Sequence, residues 1–173
     1  VETIKLLMKQ QKGRDISDEE AQRMYDEKSR VFSTRPRAKV MEGVKELMAK
    51  IKCDGLTIVV VTGSGQHSLL EKLAHEFEGF VKPELIVSSF DVEHGKPNPE
   101  PYLKGLKKAG VAPWEAIVVE NAPLGVRAGV AADIFTIGVN TGPLPNTALL
   151  DEGACIVFDS MPELRDHWED IHS

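Results

Sequence analysis

The chain has 173 residues, 42% hydrophobic and 28% charged side chains, and a formal net charge of −6. These values are typical of a globular domain with its own hydrophobic core. Its 21 basic residues are scattered among 27 acidic ones, so we expect no nucleic-acid partner, and its apolar runs are too short to imply a membrane partner.

The chain has two cysteines, Cys53 and Cys155, which lie far apart and form no CxxC motif. The first ten residues lack the small-residue cleavage site of a signal peptide. Both features favour free thiols in a reducing compartment, so we expect a cytoplasmic protein. We expect it to be a monomer or a weak dimer.

Residues 1–38 carry helix signals and no strand signal. The segment Ser17-Asp18-Glu19-Glu20 has the form of a capping box, which predicts that a helix begins there. The segment Thr34-Arg35-Pro36-Arg37 predicts a break after that helix. We therefore expect a helical unit at residues 1–38 and a second unit at residues 39–173.

In the second unit, short apolar runs alternate with amphipathic helix patterns. The predicted strands are residues 57–61, 85–87, 117–119, 134–139 and 155–158. Continuous apolar strands between helices predict an α/β fold, in which helices cover both faces of a parallel sheet. Ligands of such sheets bind at the carboxyl ends of the strands, so the residues that follow each strand are the candidates for a site.

The first strand is followed by Thr62-Gly63-Ser64-Gly65. A hydroxyl group, main-chain N–H groups and the start of the next helix make a cradle for an anion, although an ordinary strand-to-helix turn has the same composition. A dinucleotide site is disfavoured, because Ser68 stands at the position of the third glycine and Asp91 comes too late to bind a ribose.

The second strand leads to Lys96, which lies between Gly95 and Pro97 and shortly before Pro99. The two prolines restrict the backbone on either side of it. A lysine held in this way can direct its ammonium group at a fixed place, whereas most lysines are simply solvated. The rigid setting favours the functional interpretation of Lys96.

The third strand ends at Glu120-Asn121. A carboxylate at the end of a buried strand suits a hard cation such as Mg²⁺. The alternative is that Asn121 caps the next helix and Glu120 faces solvent. The three strand ends together favour the functional interpretation. Thr62 would donate to a phosphate group, Lys96 would balance its charge, and Glu120 would bind a metal ion. This combination predicts phosphoryl transfer.

These segments resemble the motifs of the haloacid dehalogenase superfamily, and most closely its β-phosphoglucomutase-like phosphatases and mutases. VVVTGSG resembles the second family motif, GKPNPEPY the third, and VVENAPLGVRAGVAADIFTIGV the fourth. The resemblance covers residues 39–173, and residues 1–38 are similar to the rear part of that family's small helical cap. It implies a Rossmann-like parallel sheet with helices on both faces.

The resemblance also implies roles for the phosphate-binding residues. Thr62 and Lys96 would be catalytic: the Thr62 hydroxyl would bind phosphate, and Lys96 would neutralise the phosphate and the nucleophile. Gly63 and Ser64 would donate main-chain N–H groups to the phosphate. Lys28, in the cap, would meet the distal part of the substrate, unless it is an ordinary exposed helix lysine.

The resemblance further implies that Glu120 and Asn121 bind Mg²⁺. Asn121 stands where the family usually has aspartate, and its neutral oxygen would lower the affinity for the metal unless Glu120 compensates. The chain also contains no D-x-D motif, which in the family supplies the nucleophile and the general acid/base. Asp91, in Phe90-Asp91-Val92-Glu93, lies in the loop that leads to Lys96 and has the wrong context for a nucleophile.

In the family, the D-x-D motif follows a strand in the middle of the sheet. Without that strand, the strands at 57–61 and 116–120 would face each other across a gap with unpaired backbone groups. We therefore expect that the nucleophile segment precedes Val1. The whole protein would be an enzyme that transfers phosphate from a small phosphorylated metabolite, as a sugar-phosphate phosphatase or mutase, and this chain alone would be inactive. The alternative is a catalytically inactive domain that binds phosphate or has a regulatory role.

Overall fold

The computed structural model describes residues 2–34 and 39–172. The chain divides into two compact units, Val1–Val40 and Met41–Ser173. The interpretation of the first unit as part of a cap, and the exact domain bounds, stay predictions.

The described part of the first unit consists of helices α1 (Glu2–Lys12) and α2 (Asp18–Ser33). The Ser17 hydroxyl accepts a hydrogen bond from the N–H of Glu20 at 3.2 Å, which confirms the predicted start of α2. Lys5 of α1 forms an ion pair with Asp18 of α2. The predicted break after α2 falls largely on residues 35–38, which lie outside the described residues.

The second unit alternates helices and strands. Its helices are α3 (Val44–Cys53), α4 (His67–Glu76), α5 (Glu100–Ala109), α6 (Pro123–Ala131), α7 (Thr147–Leu150), α8 (Met161–Asp166) and α9 (Trp168–His172). Its strands are β1 (Val60–Val61), β2 (Ile86–Val87), β3 (Ile117–Glu120), β4 (Phe135–Val139) and β5 (Ile156–Phe158). The predicted α/β fold is confirmed.

All strand pairs in the described residues are parallel, and they form two sheets with the orders β1-β2 and β3-β4-β5. The first strand was predicted over residues 57–61, but its ladder covers only Val60–Val61. The reason is that its neighbour β2 has only two residues, since Leu85 belongs to the 3₁₀ turn Pro83–Leu85.

Strand β4 lies in the middle of the three-stranded sheet, and both of its faces are covered. On one face, Ile137 and Val139 are buried in a cluster with residues of α3, β5, α8 and α9: Leu47, Phe158, Leu164 and Trp168. On the other face, Thr136 is fully buried close to Gly129 of α6. Helices therefore cover both faces of this sheet, as the continuous apolar strands predicted.

Strands β1 and β3 belong to different sheets, and no backbone ladder joins them in the part of the chain that the structure describes. The Val119 side chain of β3 is 39% exposed, although its sequence is typical of a buried strand. The separation agrees with the expectation that these two strands are not direct neighbours.

Among the described residues, no helix has the length and apolarity needed to cross a membrane. Cys53 and Cys155 are both free and exposed, as their spacing predicted.

Helix α6 approaches the sheet closely at Gly129, and this contact can be tested. A Cβ atom there would lie 2.6 Å from Thr136 Oγ1 and 3.1 Å from Val118 Cγ1. We expect Gly129→Ala to lower the free energy of unfolding by about 1–3 kcal/mol, because extra volume in a packed core strains its surroundings. Chemical denaturation measures the change.

Gly105 of α5 is the matched control, because it is also a buried helical glycine. A Cβ atom there would make ordinary contacts of 3.5 Å with Val59 and Val61. We expect Gly105→Ala to be neutral or to stabilise by up to about 1 kcal/mol, the gain in helix propensity. Equal effects of the two substitutions would contradict the close approach at Gly129.

Candidate active site

The predicted residues lie at the carboxyl ends of the strands. Thr62 follows β1, and its N–H donates to the Val87 carbonyl at 2.8 Å, which extends the pairing of β1 with β2 by one residue. Lys96 lies in the loop between β2 and α5, and Glu120 is the last residue of β3.

The Lys96 ammonium group connects the ends of β1 and β3. Its Nζ donates to the Val61 carbonyl at 3.2 Å and forms an ion pair with Glu120 Oε1. The Lys96 side chain is only 19% exposed, whereas lysines are mostly exposed in proteins. The structure thus brings Lys96 together with Glu120, and with the strand end that Thr62 follows.

The Glu120 side chain is 10% exposed, and its carboxylate accepts hydrogen bonds on both oxygens. Oε1 accepts from Lys96 Nζ and from the Tyr102 hydroxyl, the latter at 2.6 Å. Oε2 accepts from the N–H groups of Asn121 and Ala122 at 3.2 and 3.4 Å. A carboxylate offers about four acceptor positions, so this one is fully engaged by the chain's own donors.

The backbone of α6 packs directly against this carboxylate at Gly125. A Cβ atom on Gly125 would lie 2.1 Å from Glu120 Cδ, closer than any real contact. Only glycine allows the first turn of α6 to reach the carboxylate. The V-V-E-N-A-P-L-G segment therefore positions Glu120 by two means, the hydrogen bonds of Asn121 and Ala122 and the absent side chain of Gly125.

Tyr102 is a site residue that the sequence reasoning missed. It is 7% exposed, its hydroxyl donates to Glu120, and its ring centroid lies 5.0 Å from Lys96 Nζ, within the range of a cation–π contact. Burial, followed by the negative charge of Glu120, raises the pKa of the Tyr102 phenol far above its usual range. The phenol therefore keeps its proton and remains a donor.

The loop that leads to Lys96 is fixed by Asp91. Its Oδ2 accepts from the Ser88 N–H at 2.8 Å and from the Ser88 hydroxyl at 2.9 Å, and its Oδ1 accepts from Lys108 Nζ at 2.9 Å. The Ser88 N–H above all, and the Lys108 ammonium next, lower the pKa of this carboxyl. Asp91 thus anchors the loop, and the expectation that it is not the nucleophile stays a prediction.

Glu100 closes the second half of the same loop. Its carboxylate accepts from the N–H groups of Glu93 and His94 at 3.0 and 2.9 Å, and these bonds lower the pKa of the Glu100 carboxyl. Its own N–H donates to Asn98 Oδ1 at 2.9 Å. Lys96 therefore projects from a loop that is tied at both ends.

The Thr62–Gly65 loop is held by its own side chains. Thr62 Oγ1 accepts from the Ser64 N–H at 3.2 Å, which leaves the Thr62 hydroxyl hydrogen available to donate. The Ser64 N–H, predicted to bind phosphate, is used inside the loop in this arrangement. Gly63 is exposed, and Gly65 comes so close to Ser89 that a Cβ atom would lie 2.4 Å from its hydroxyl oxygen.

The residues at the end of β3 do not form a complete metal centre. In the described ranges, no group of three histidine, cysteine, aspartate or glutamate side chains converges in a way that could hold a metal ion. Glu120 is saturated by its four donors, and Asn121 Nδ2 donates to Thr141 Oγ1 at 2.8 Å. Of the Asn121 side chain, only Oδ1 could bind a cation, and the predicted Mg²⁺ site stays a prediction.

Lys28 is an exposed residue of α2 in the first unit. Its predicted contact with the substrate stays a prediction.

Comparison with known proteins identifies the family. The sequence profile described as haloacid dehalogenase-like hydrolase matches residues 2–139. The chain belongs to this family. Its parallel sheet and the residues at the strand ends agree with the resemblance that the three motifs indicated.

Two curated relatives are sugar-phosphate phosphatases by name. The chain is 32% identical over 155 residues to phosphorylated carbohydrates phosphatase of Thermotoga maritima, covering 88% of this chain and 70% of that protein. It is 35% identical over 100 residues to hexitol phosphatase A of Escherichia coli, covering 58% of this chain. The matched region spans only 45% of the length of hexitol phosphatase A.

A solved structure of a provisionally named β-phosphoglucomutase from Bacteroides vulgatus is similar over nearly the whole chain. It is 51% identical and superimposes with a TM-score of 0.87, covering 97% of this chain and 68% of that one. A second structure of this kind, from Thermotoga maritima, is 27% identical with a TM-score of 0.70, covering 96% of this chain and 76% of that one.

The loop anchor at Asp91 gives a pH-dependent prediction. Because the pKa of Asp91 is lowered in the folded state, its contribution to stability is full above the unfolded-state pKa and is lost as the pH falls through the folded-state pKa. We expect Asp91→Asn to lower the free energy of unfolding by about 1–3 kcal/mol at neutral pH. The difference from wild type should shrink towards about pH 3, as measured by urea unfolding across pH.

Asp151→Asn is the matched control, because Asp151 is exposed and exposed substitutions change stability by about 0.5 kcal/mol or less. If the difference in the free energy of unfolding between wild type and Asp91→Asn stayed constant from neutral to acid pH, the ionised carboxylate would not be what anchors the loop.

Proposed function

We propose that the chain forms the phosphate-binding part of an enzyme that transfers a phosphoryl group from a small phosphomonoester. A sugar phosphate is the favoured substrate class, with water or a second sugar hydroxyl as the acceptor. The observation that carries the proposal is the half-buried Lys96 ammonium group, held between Val61 and Glu120 beside Thr62. The names of the relatives support the substrate class.

In this proposal the residues of the chain bind and neutralise the phosphate group. The Lys96 ammonium balances the negative charge of the phosphate, and the Thr62 hydroxyl donates to one of its oxygens. The N–H groups of Gly63 and Ser64 extend this cradle, with the Ser64 N–H leaving Thr62 as the anion binds. The Lys96 ammonium group is positioned before the substrate arrives, so little reorganisation of this charge is needed.

The nucleophile of the proposed reaction is an aspartate outside this chain. The sequence holds no D-x-D motif, and the separation of β1 from β3 is the place where a further strand would lie. In the first step a carboxylate oxygen of that aspartate would bond to phosphorus, and the ester oxygen would leave with a proton from the general acid, the second aspartate of the motif. In the second step the acceptor hydroxyl would return a proton to that second aspartate as its oxygen bonds to phosphorus, and the bond between phosphorus and the first aspartate would break.

Mg²⁺ is proposed as the cofactor, with Glu120 and Asn121 as its ligands on this chain. The bound ion would offset negative charge on the phosphate oxygens. Asn121 Oδ1 would bind the ion directly, whereas Glu120 would first have to release one of its donors. The further ligands would be carboxylates outside the chain.

The absence of D-x-D also favours a second candidate function, in which the domain binds phosphate without catalysis. Both candidates predict the same anion site on this chain, and they differ only in turnover. The anion site and the turnover therefore need separate experiments.

The anion site is tested by titrating the chain with inorganic phosphate. We expect Lys96→Ala to weaken phosphate binding by about tenfold or more, because a charge-assisted hydrogen bond contributes about 1.5–3 kcal/mol. Isothermal titration calorimetry gives the dissociation constants. Lys104→Ala, an exposed lysine of α5, is the matched control, and an equal loss in both variants would reject the site.

Turnover is tested on the whole protein that contains this chain, with a panel of sugar phosphates and with release of phosphate as the readout. We expect turnover that needs added Mg²⁺, stops with a chelator and falls by about 100-fold or more in Lys96→Ala, the loss expected when a preorganised charge is removed. Phosphate binding without any turnover would favour the second candidate instead.

A further inference from the structure

We propose that Tyr102 is a positioning residue, which acts through Glu120 to hold the Lys96 ammonium group at the end of β1. The proposal deepens the proposed function, since it names a further residue of the same site. It rests on the contacts that Tyr102 makes with both members of the ion pair.

The first contact is the hydrogen bond from the Tyr102 hydroxyl to Glu120 Oε1 at 2.6 Å. Tyr102 is 7% exposed, and a buried phenol finds a partner because an unpaired one is costly. Its partner here is the same oxygen that receives Lys96 Nζ. Tyr102 therefore fixes the oxygen on which the position of the ammonium group depends.

The second contact is the Tyr102 ring itself, whose centroid lies 5.0 Å from Lys96 Nζ. The face of an aromatic ring attracts a cation at this range. The ring also belongs to a buried cluster with Leu106 and Val118, so its orientation is set by the packing of this cluster.

The carboxylate has little freedom to compensate for a lost donor. The backbone of α6 packs against one side of it at Gly125, and the N–H groups of Asn121 and Ala122 hold Oε2. Removing the phenol oxygen leaves Oε1 with Lys96 as its remaining donor among these contacts. The carboxylate would then be held less firmly at this oxygen, and the Lys96 ammonium group that it receives would lose its fixed position at the end of β1.

The test substitution is Tyr102→Phe, which keeps the packed ring and removes only the hydroxyl group. Tyr25→Phe is the matched control, because Tyr25 is the other tyrosine of the chain and lies on α2. The direct readout is the NMR signal of the Lys96 ammonium group in a nitrogen-15-labelled chain, assigned by its loss in Lys96→Arg. A held ammonium group gives a signal protected from exchange.

We expect a protected Lys96 signal in wild type and in Tyr25→Phe, and a shifted or exchange-broadened signal in Tyr102→Phe. A Lys96 signal that is the same in wild type and Tyr102→Phe would overturn the proposal. This readout needs neither turnover nor phosphate binding. If the chain bound no phosphate, the proposed function would be rejected, and the Lys96 signal would still decide the role of Tyr102.

A second readout tests whether Tyr102 acts through Glu120. We expect Tyr102→Phe to weaken inorganic phosphate binding by about three- to tenfold, and to have no further effect when Glu120→Gln is already present, because residues that act through one contact are not additive. An equal loss in both backgrounds would show that Tyr102 acts by another route. A loss of fold is recognised separately by thermal unfolding of each variant.

Discussion

The site depends on one largely buried negative charge, that of the Glu120 side chain, which is 10% exposed. A carboxylate in this position is stable only if donors satisfy it, and the chain brings them from several elements. The loop after β2 supplies Lys96, α5 supplies Tyr102, and the turn before α6 supplies two N–H groups. Gly125 leaves the room that the carboxylate needs. The need to satisfy this one charge therefore fixes the loop after β2, helix α5 and the turn before α6 relative to one another.

The same interaction spans the separation between the two sheets. No ladder joins β1 to β3 in the described residues, yet the Lys96 ammonium group contacts the end of each strand. The Lys96 charge is balanced by Glu120 before any substrate binds. An arriving phosphate group would therefore share an ammonium group that is already positioned, which lowers the cost of reorganisation.

Much of this arrangement could be predicted from the sequence, because it depends on local patterns. Apolar runs marked the strands, and each strand was followed by a residue of distinct chemistry: Thr62, Lys96 or Glu120. Tyr102 was missed because its role depends on a tertiary contact with the end of β3, and its partner lies 18 residues away. The only local signal was a tyrosine on the helix that begins just after Lys96. The length of β1 was overestimated for a similar reason, since a ladder needs a neighbour and β2 has only two residues.

The central claim is that Lys96 and Thr62 bind one phosphate group at the end of β1. A crystal structure of the chain soaked with tungstate, a heavy analogue of phosphate, tests it most directly. The account predicts tungstate density with oxygens about 3 Å from both Lys96 Nζ and Thr62 Oγ1, the distance of a hydrogen bond. Tungstate bound elsewhere, with Lys96 still in contact with Glu120 and no anion at Thr62, would contradict it.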